Sequence, residues 1–294
     1  MKIIVCIKQL CYTYARTGRD VESLYLDTQD SIYRINPYDE AALEMALQLK
    51  DRMDSADVVL LTLGPLIAEG ELRRCLAAGA DQLCRIADSG PSPENDLWMQ
   101  PDPWTKADLL ADAIQELRGE LILCGMKSVD RGSGQIGALI ARILNAPFVS
   151  AITELSVGDS AEWLRVQRGE GRGVREILQC PAPAVFSADL GPELRLPTYA
   201  RRQWADAYPI RDMTHPTGKR PARLQTLRVA APRPRTKIVP APDSRLPAYD
   251  RICQLLAGSN VEKKGTLLTG DLESQVDGVI NYLKLNGFLE TTDV

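Results

Sequence analysis

One stretch of this 294-residue chain has the residue types and spacing to hold an anion. It reads Gly125-Met126-Lys127-Ser128-Val129-Asp130-Arg131-Gly132-Ser133-Gly134-Gln135-Ile136-Gly137 and links an apolar run to a helical pattern. Glycines let a backbone approach a ligand closely, and the first N–H groups of a helix lack partners inside it and attract phosphate. Ser133 and Gln135 could add side-chain hydrogen bonds, and Lys127 and Arg131 add positive charge. The stretch is not a P-loop, since no Gly-Lys-Ser/Thr occurs. Two readings stay open at this point, a plain capped turn and an anion or nucleotide site. Thr62-Leu63-Gly64-Pro65, Lys8-Gln9 and Asn36 are expected at the same edge, and together these pieces outline a nucleotide-sized crevice. Nothing there pairs an acid with a base or activates a nucleophile, so any chemistry would belong to a bound cofactor.

The elements that must position these turns follow from the apolar pattern. Lys2–Ile7, Asp57–Leu63, Ala80–Ile86 and Glu120–Cys124 read as buried strands. Helices are expected from Pro37, where Ala41, Leu43, Ala46 and Leu47 recur at helical spacing, and over Glu69–Ala78, Lys106–Leu117 and Gln135–Leu144. Gly79 is placed to cap the second of these, and residues 87–105 read as a Pro-rich loop. Strands with continuous apolar runs, alternating with helices, predict a doubly wound, mostly parallel α/β sheet of Rossmann-like type. Such sheets bind ligands at the carboxyl ends of their strands. After residue 150, Leu164–Gln167 and Arg175–Gln179 bracket a hairpin tip at 168–173, and Ala184–Ala188 is another strand. The α/β domain is expected over 1–193 and a C-terminal extension over 194–294, ending in a helix at Leu272–Leu285.

Charge and cysteine usage exclude several classes. The net charge is −4, yet residues 195–237 hold eleven Lys/Arg and two acids. This Pro-rich segment is expected along a surface, solvated or against an acidic partner. Sparse aromatics (5%) and the negative whole-chain charge argue against nucleic acid. The seven cysteines form no CxxC pair and mostly sit in apolar runs, the pattern of buried thiols in a reducing compartment. The one histidine, His215, stands in a Pro- and Gly-flanked loop, which argues against histidine-dependent catalysis. No metal site is expected, no run approaches the length of a membrane span, and a cytoplasmic protein is expected.

In order along the chain, the motifs resemble the beta subunit of electron transfer flavoproteins, in the FixA or bifurcating type or a related long form. The resemblance rests on Cys6-Ile7-Lys8-Gln9-Leu10, Asn36–Glu40, Leu63-Gly64-Pro65, Leu72–Asp81, Gly125 with Asp130 and Gln135-Ile136-Gly137, and Arg168, Glu176 and Pro183–Asp189. It covers roughly residues 1–200. An extra arginine in Gly171-Arg172-Gly173 and the sequence Gln203-Trp204-Ala205-Asp206, in place of a Lys-rich run, depart from the family pattern.

The resemblance implies a heterodimer with an electron transfer flavoprotein alpha subunit, acting as an electron carrier and not as a stand-alone enzyme. Its electron donor or acceptor would be a flavin dehydrogenase of acyl-CoA dehydrogenase type or a quinone reductase. The crevice would hold FAD, as in electron-bifurcating members, or AMP. Gly134 and Ile136 bring the phosphate turn nearer the FAD type. The cofactor would lie against Cys6, Lys8, Asn36, Leu63, Gly64, Cys124, Gly125, Asp130, Gly132, Ser133, Gly134, Gln135, Ile136 and Gly137. Partner docking would use Leu194, Arg195, Leu196 and Tyr199, and the helix Leu272–Leu285 would pack on the alpha subunit. A structural AMP-binding subunit without a redox role, or an adenine-nucleotide-dependent enzyme on the same fold, are the alternatives.

Overall fold

The structure is a computed structural model that describes residues 1–13, 31–64, 69–87, 102–158, 163–213, 244–257 and 268–285. Two compact units divide the chain, Met1–Pro232 and Arg233–Val294. The first is built on a nine-stranded sheet. Its strands are β1 (Lys2–Ile7), β4 (Asp57–Gly64), β5 (Gln82–Ala87), β6 (Leu121–Gly125), β7 (Phe148–Val157), β8 (Trp163–Gly171), β9 (Val174–Pro181), β10 (Ala184–Ala188) and β11 (Arg211–Met213). Their order across the sheet is β11-β5-β4-β1-β6-β10-β7-β8-β9. All pairs from β11 to β7 are parallel, and β7-β8-β9 are antiparallel. The expected doubly wound, mostly parallel α/β sheet is present.

Helices cover both faces. Those of the first unit are α1 (Pro37–Asp51), α2 (Glu69–Ala78), α3 (Pro103–Leu117), α4 (Ile136–Leu144) and α5 (Tyr199–Ala207). Ile3, Val5, Leu60 and Phe186 meet α1 and α2 in one apolar layer, and Ile4, Leu61, Ile122 and Val185 meet α3 and α4 in the other. Alternate residues of one strand thus enter different layers, which is why β1, β4 and β6 are apolar throughout. The chain first builds β4 and β5 on one side of β1, then returns to add β6 on the other. The switch point falls between β1 and β6, at whose carboxyl ends stand Lys8 and Gly125.

Several elements depart from the sequence expectation. Residues Gln9–Thr13 (β2) and Ser31–Ile35 (β3) form a separate antiparallel pair. Trp104 lies inside α3 instead of a loop, because Asp102 accepts a hydrogen bond from the Thr105 N–H and Pro103 starts the helix. Strand β7 was not expected. Its pattern is broken at Ala151, which has a left-handed φ of +55° where the register with β10 shifts. The segment beyond 193 does not only run over a surface. Its α5 buries Ala205 and its β11 buries Met213, adding a strand to the sheet edge, so both belong to the first unit. The hairpin is longer than expected and turns through Gly171, Arg172 and Gly173, all with positive φ.

Cys6, Cys75, Cys84, Cys124 and Cys180 are buried free thiols, as expected, whereas Cys253 is exposed. His215 and most of the basic run lie outside the described residues. The second unit contains α6 (Ala248–Ala257) and the expected helix α7 (Leu272–Leu285). No residue of α7 is buried, and Leu272, Val276, Val279 and Leu285 are exposed, while Ile280 and Leu283 are half-buried. No helix among the described residues is long and apolar enough to cross a membrane.

Candidate functional site

The carboxyl edge of the sheet gathers three chain segments that are distant in sequence. Lys8 follows β1, Asn36 precedes α1, and Gly125 ends β6 and opens the turn to α4. Asn36 is the N-cap of α1, yet its side chain does not cap that helix. Its amide instead donates to the Lys127 carbonyl at 2.9 Å and its oxygen accepts from the Val129 N–H at 3.3 Å. The Asn36 N–H also donates to the Lys8 carbonyl at 3.0 Å. One buried asparagine thereby joins the end of β1 to the turn after β6, and burial makes both side-chain bonds costly to lose.

Asp39, one helical turn into α1, is 5% exposed. Its Oδ2 accepts from the Lys8 N–H at 2.8 Å, and its Oδ1 accepts from the Gly125 N–H at 2.8 Å and from Asn36 Nδ2 at 3.0 Å. Burial pushes its carboxyl up to about 7, although these donors and the Lys8 charge pull the other way. Gly125 is required here, since a Cβ would stand 2.2 Å from Asp39 Oδ1. In the sequence, Asp39 stands out only as part of the Asn36–Glu40 motif. Its position three residues after an Asn-Pro N-cap was the available signal.

Above this floor, Lys8 Nζ reaches both Asp130 oxygens, at 2.7 and 2.6 Å, and Ser128 Oγ at 3.3 Å. Partial burial alone would raise the Asp130 carboxyl, but the bonds from Lys8 and Ser128 outweigh it and hold its pKa below the usual value. The turn then runs through Arg131–Gln135, every residue of which is exposed. Gly132 and Gly134 have φ of +63° and +62°, a conformation natural to glycine, and a Cβ on Gly134 would press on the Met126 carbonyl at 3.2 Å. The N–H groups of Ser133, Gly134 and Gln135 meet no acceptor among the described residues. Lys127 and Arg131 are exposed beside them, with Lys127 Nζ 5.8 Å from the Tyr38 ring centre.

The remaining expected cofactor residues fall into two groups. Gly64 ends β4 on the same edge, where a Cβ would touch Gln9 Oε1 at 3.4 Å. Cys6, Cys124, Gly137, Leu63 and Ile136 support the edge from below. Cys6 and Cys124 are buried, and burial pushes the Cys6 thiol up to about 12 and the Cys124 thiol well above its usual value. Gly137 gives Cys124 room, since a Cβ would lie 2.7 Å from its sulfur. Leu63 and Ile136 pack on the α3–α4 layer. Thr62, one residue earlier, adds a buried hydroxyl with no hydrogen-bond partner among the described residues. The exposed glycine turn, its unengaged amides and the nearby cations fit a nucleotide phosphate group. No cluster of His, Cys, Asp or Glu among the described residues could hold a metal ion.

The four expected docking residues divide. Leu194 packs on the core. Arg195 turns inward, with Nη2 2.9 Å from Glu44 Oε1 and Nη1 2.7 Å from Asp51 Oδ2, and its N–H donates to Glu44 at 3.1 Å. Leu196 and Tyr199 face outward, 88% and 76% exposed. The following α5 is fixed by an exchange of arginines with α2. Arg201 donates to the Leu76 and Ala80 carbonyls at the end of α2, and Arg73 of α2 donates to the Ala205, Asp206 and Tyr208 carbonyls at the end of α5. Sequence patterning could not reveal these bonds, because each joins residues more than a hundred positions apart.

Comparison with known proteins gives one family and several relatives. Residues 23–192 match the model of the electron transfer flavoprotein domain. The chain is 30% identical over 179 residues to the caffeyl-CoA reductase–Etf complex subunit CarD of Acetobacterium woodii, which is 60% of this chain and 65% of that protein. It is 35% identical over 158 residues to the electron transfer flavoprotein subunit beta of Bacillus subtilis, covering 53% and 57% of the two chains. With protein FixA of Azotobacter vinelandii the identity is 27% over 248 residues, covering 81% and 86%. The match thus spans less than two thirds of the first two relatives' length.

Proposed function

Because the chain belongs to the electron transfer flavoprotein family, and several of its relatives are named beta subunits of electron transfer flavoproteins, we propose that it is the beta subunit of a heterodimer that carries electrons between a flavin dehydrogenase and a downstream acceptor. Its own crevice holds FAD, with AMP as the alternative. The observation that carries this reading is the Arg131–Gln135 turn, exposed throughout, with two left-handed glycines and unengaged amides at the start of α4 and at the switch point of the sheet.

In this reading the amides of 133–135 and the start of α4 receive the phosphates. Lys127 and Arg131 offset their charge. Lys8 is held by Asp130, which fixes the mouth of the crevice, and Asn36 keeps the turn closed on β1. Gly134 leaves space beside the turn, and Ile136 directs its side chain to the core and offers no hydroxyl to a terminal phosphate. Both features favour the longer nucleotide, FAD. A bound flavin supplies the electron-accepting group, and the protein supplies position and electrostatics. Leu196 and Tyr199 would touch the electron-transfer partner, and the exposed stripe of α7 would pack on the alpha subunit.

Nucleotide extraction from the purified native complex tests the reading. Two FAD per heterodimer would place a flavin in this chain. One FAD with one AMP would make this chain a structural nucleotide binder, and no nucleotide in either proportion would overturn the reading.

A further inference from the structure

Three parts of the crevice meet at one buried carboxylate. The end of β1 donates to it through the Lys8 N–H, the end of β6 through the Gly125 N–H, and the start of α1 through Asn36 Nδ2. The donors lie 31 and 86 residues from Asp39 or three residues before it, so no local motif requires the arrangement. A buried ionised group is expensive unless hydrogen-bonded, and here each oxygen accepts only from N–H donors. Gly125 makes the approach possible, as any side chain there would overlap Asp39 and Tyr38.

We propose that Asp39 is the positioning residue of the nucleotide crevice, its carboxylate tying the turns after β1 and β6 and the start of α1 into one binding edge. The inference rests on the nucleotide reading above and deepens it. Asp39 acts through the turns, from beneath Lys8 and Asn36.

The chemistry gives this role a signature in pH. An ionised Asp39 accepts from all three donors. A proton on either oxygen turns an acceptor into a donor facing an N–H, so one of the three segments is released. Burial brings this event close to neutrality. Among the described residues, the groups facing Asp39 are few. Lys8 from the end of β1 is its cationic neighbour and is itself held by Asp130. Cys6 of β1, Cys124 of β6 and Cys75 of α2 are buried thiols that feel its charge, and their raised pKa values keep them neutral through the same range. Nucleotide affinity therefore falls as pH drops through about 7, by at most tenfold per pH unit for one proton.

The test is equilibrium binding of AMP and of FAD to the full-length protein in its native complex, stripped of nucleotide, from pH 5.5 to 8.5. The wild type should weaken at the acid end. Asp39→Asn, whose amide must turn a donor toward one of the three N–H groups, should bind AMP at least tenfold more weakly at pH 8 and lose the pH dependence. Wild-type affinity with an unchanged pH profile in Asp39→Asn would overturn the positioning role while leaving the nucleotide reading intact. Failure of the wild type to bind either nucleotide at any pH would overturn the nucleotide reading and the role of Asp39 with it. If the variant does not fold, amide exchange of wild-type Lys8 and Gly125 decides. Faster exchange of one of them relative to the neighbouring strand amides at pH 5.5 than at pH 8 supports the role, and no such difference overturns it.

Discussion

The proposed nucleotide crevice and the proposed docking segment treat polar groups in opposite ways. In the crevice, a buried carboxylate and a buried amide hold the floor, and the backbone amides and cations above are left facing out. In the segment from Leu194 to Ala207, Arg195 and Arg201 turn inward to α1 and α2, and the apolar Leu196 and Tyr199 face out. A site for a charged small molecule keeps its donors available. A contact for a protein places apolar groups outward and uses charge to hold their backbone in shape, which lowers the ordering cost of association. A basic count along a sequence therefore does not locate a basic surface, since three of the four described arginines in 195–213 bond within the chain.

Four measurements would break or sharpen this contrast. The largest effect is expected from pH. The folded pKa of Asp39 is raised to about 7 from an ordinary value of 3.8. Stability from this group is thus fully present below about 4 and lost as pH rises through 7, on the order of 4 kcal/mol at one pKa unit per 1.4 kcal/mol. Denaturation across this range should show a falling component that Asp39→Asn lacks, opposite in sign to the nucleotide affinity. A second effect, about 3 kcal/mol, is expected for Gly125→Ala, which overlaps Asp39 and Tyr38. An unchanged urea midpoint would show that the floor yields more than its packing suggests.

Arg195→Ala should cost about 2 kcal/mol, because it leaves the buried Glu44 without its cation while the pair's outer part is solvent-screened. Amide exchange over 190–198 should rise with it, and exchange equal to wild type would mean that the loop needs no clamp. Least affected in stability should be Leu196→Ala and Tyr199→Ala, within about 0.5 kcal/mol. If they form the proposed docking contact, their effect belongs in association with the proposed flavin dehydrogenase, where at least a tenfold loss is expected in surface-based binding. Full affinity in both variants would move the docking contact elsewhere.

Much of the fold was legible for one reason. The central strands β1, β4, β6 and β10 are buried on both faces, so each is a continuous apolar run that needs no knowledge of its neighbours. Gly79 and Pro37 marked helix ends by their own backbone limits. What escaped depends on distant partners. The pattern of β7 is interrupted by a bulge at Ala151, whose N–H meets Ser187 of another strand. Helix α5 carries a short, weakly apolar sequence and is held by carbonyl contacts with α2. In the site, the glycine turn was readable because backbone freedom is written in residue type. Asp39 was not, because its role is set by donors from two other strands' ends.

The antiparallel end of the sheet has a consequence for assembly. Among the described residues strand β9 is an edge, eight residues long, and an open edge of that length invites pairing with any extended chain it meets. Its tip is curled by three successive left-handed residues, Arg175 and Glu176 bring opposite charges along it, and Pro181 removes a donor at its end. Such an edge discourages casual stacking. At this border the strand's own residues work against fibrous self-association.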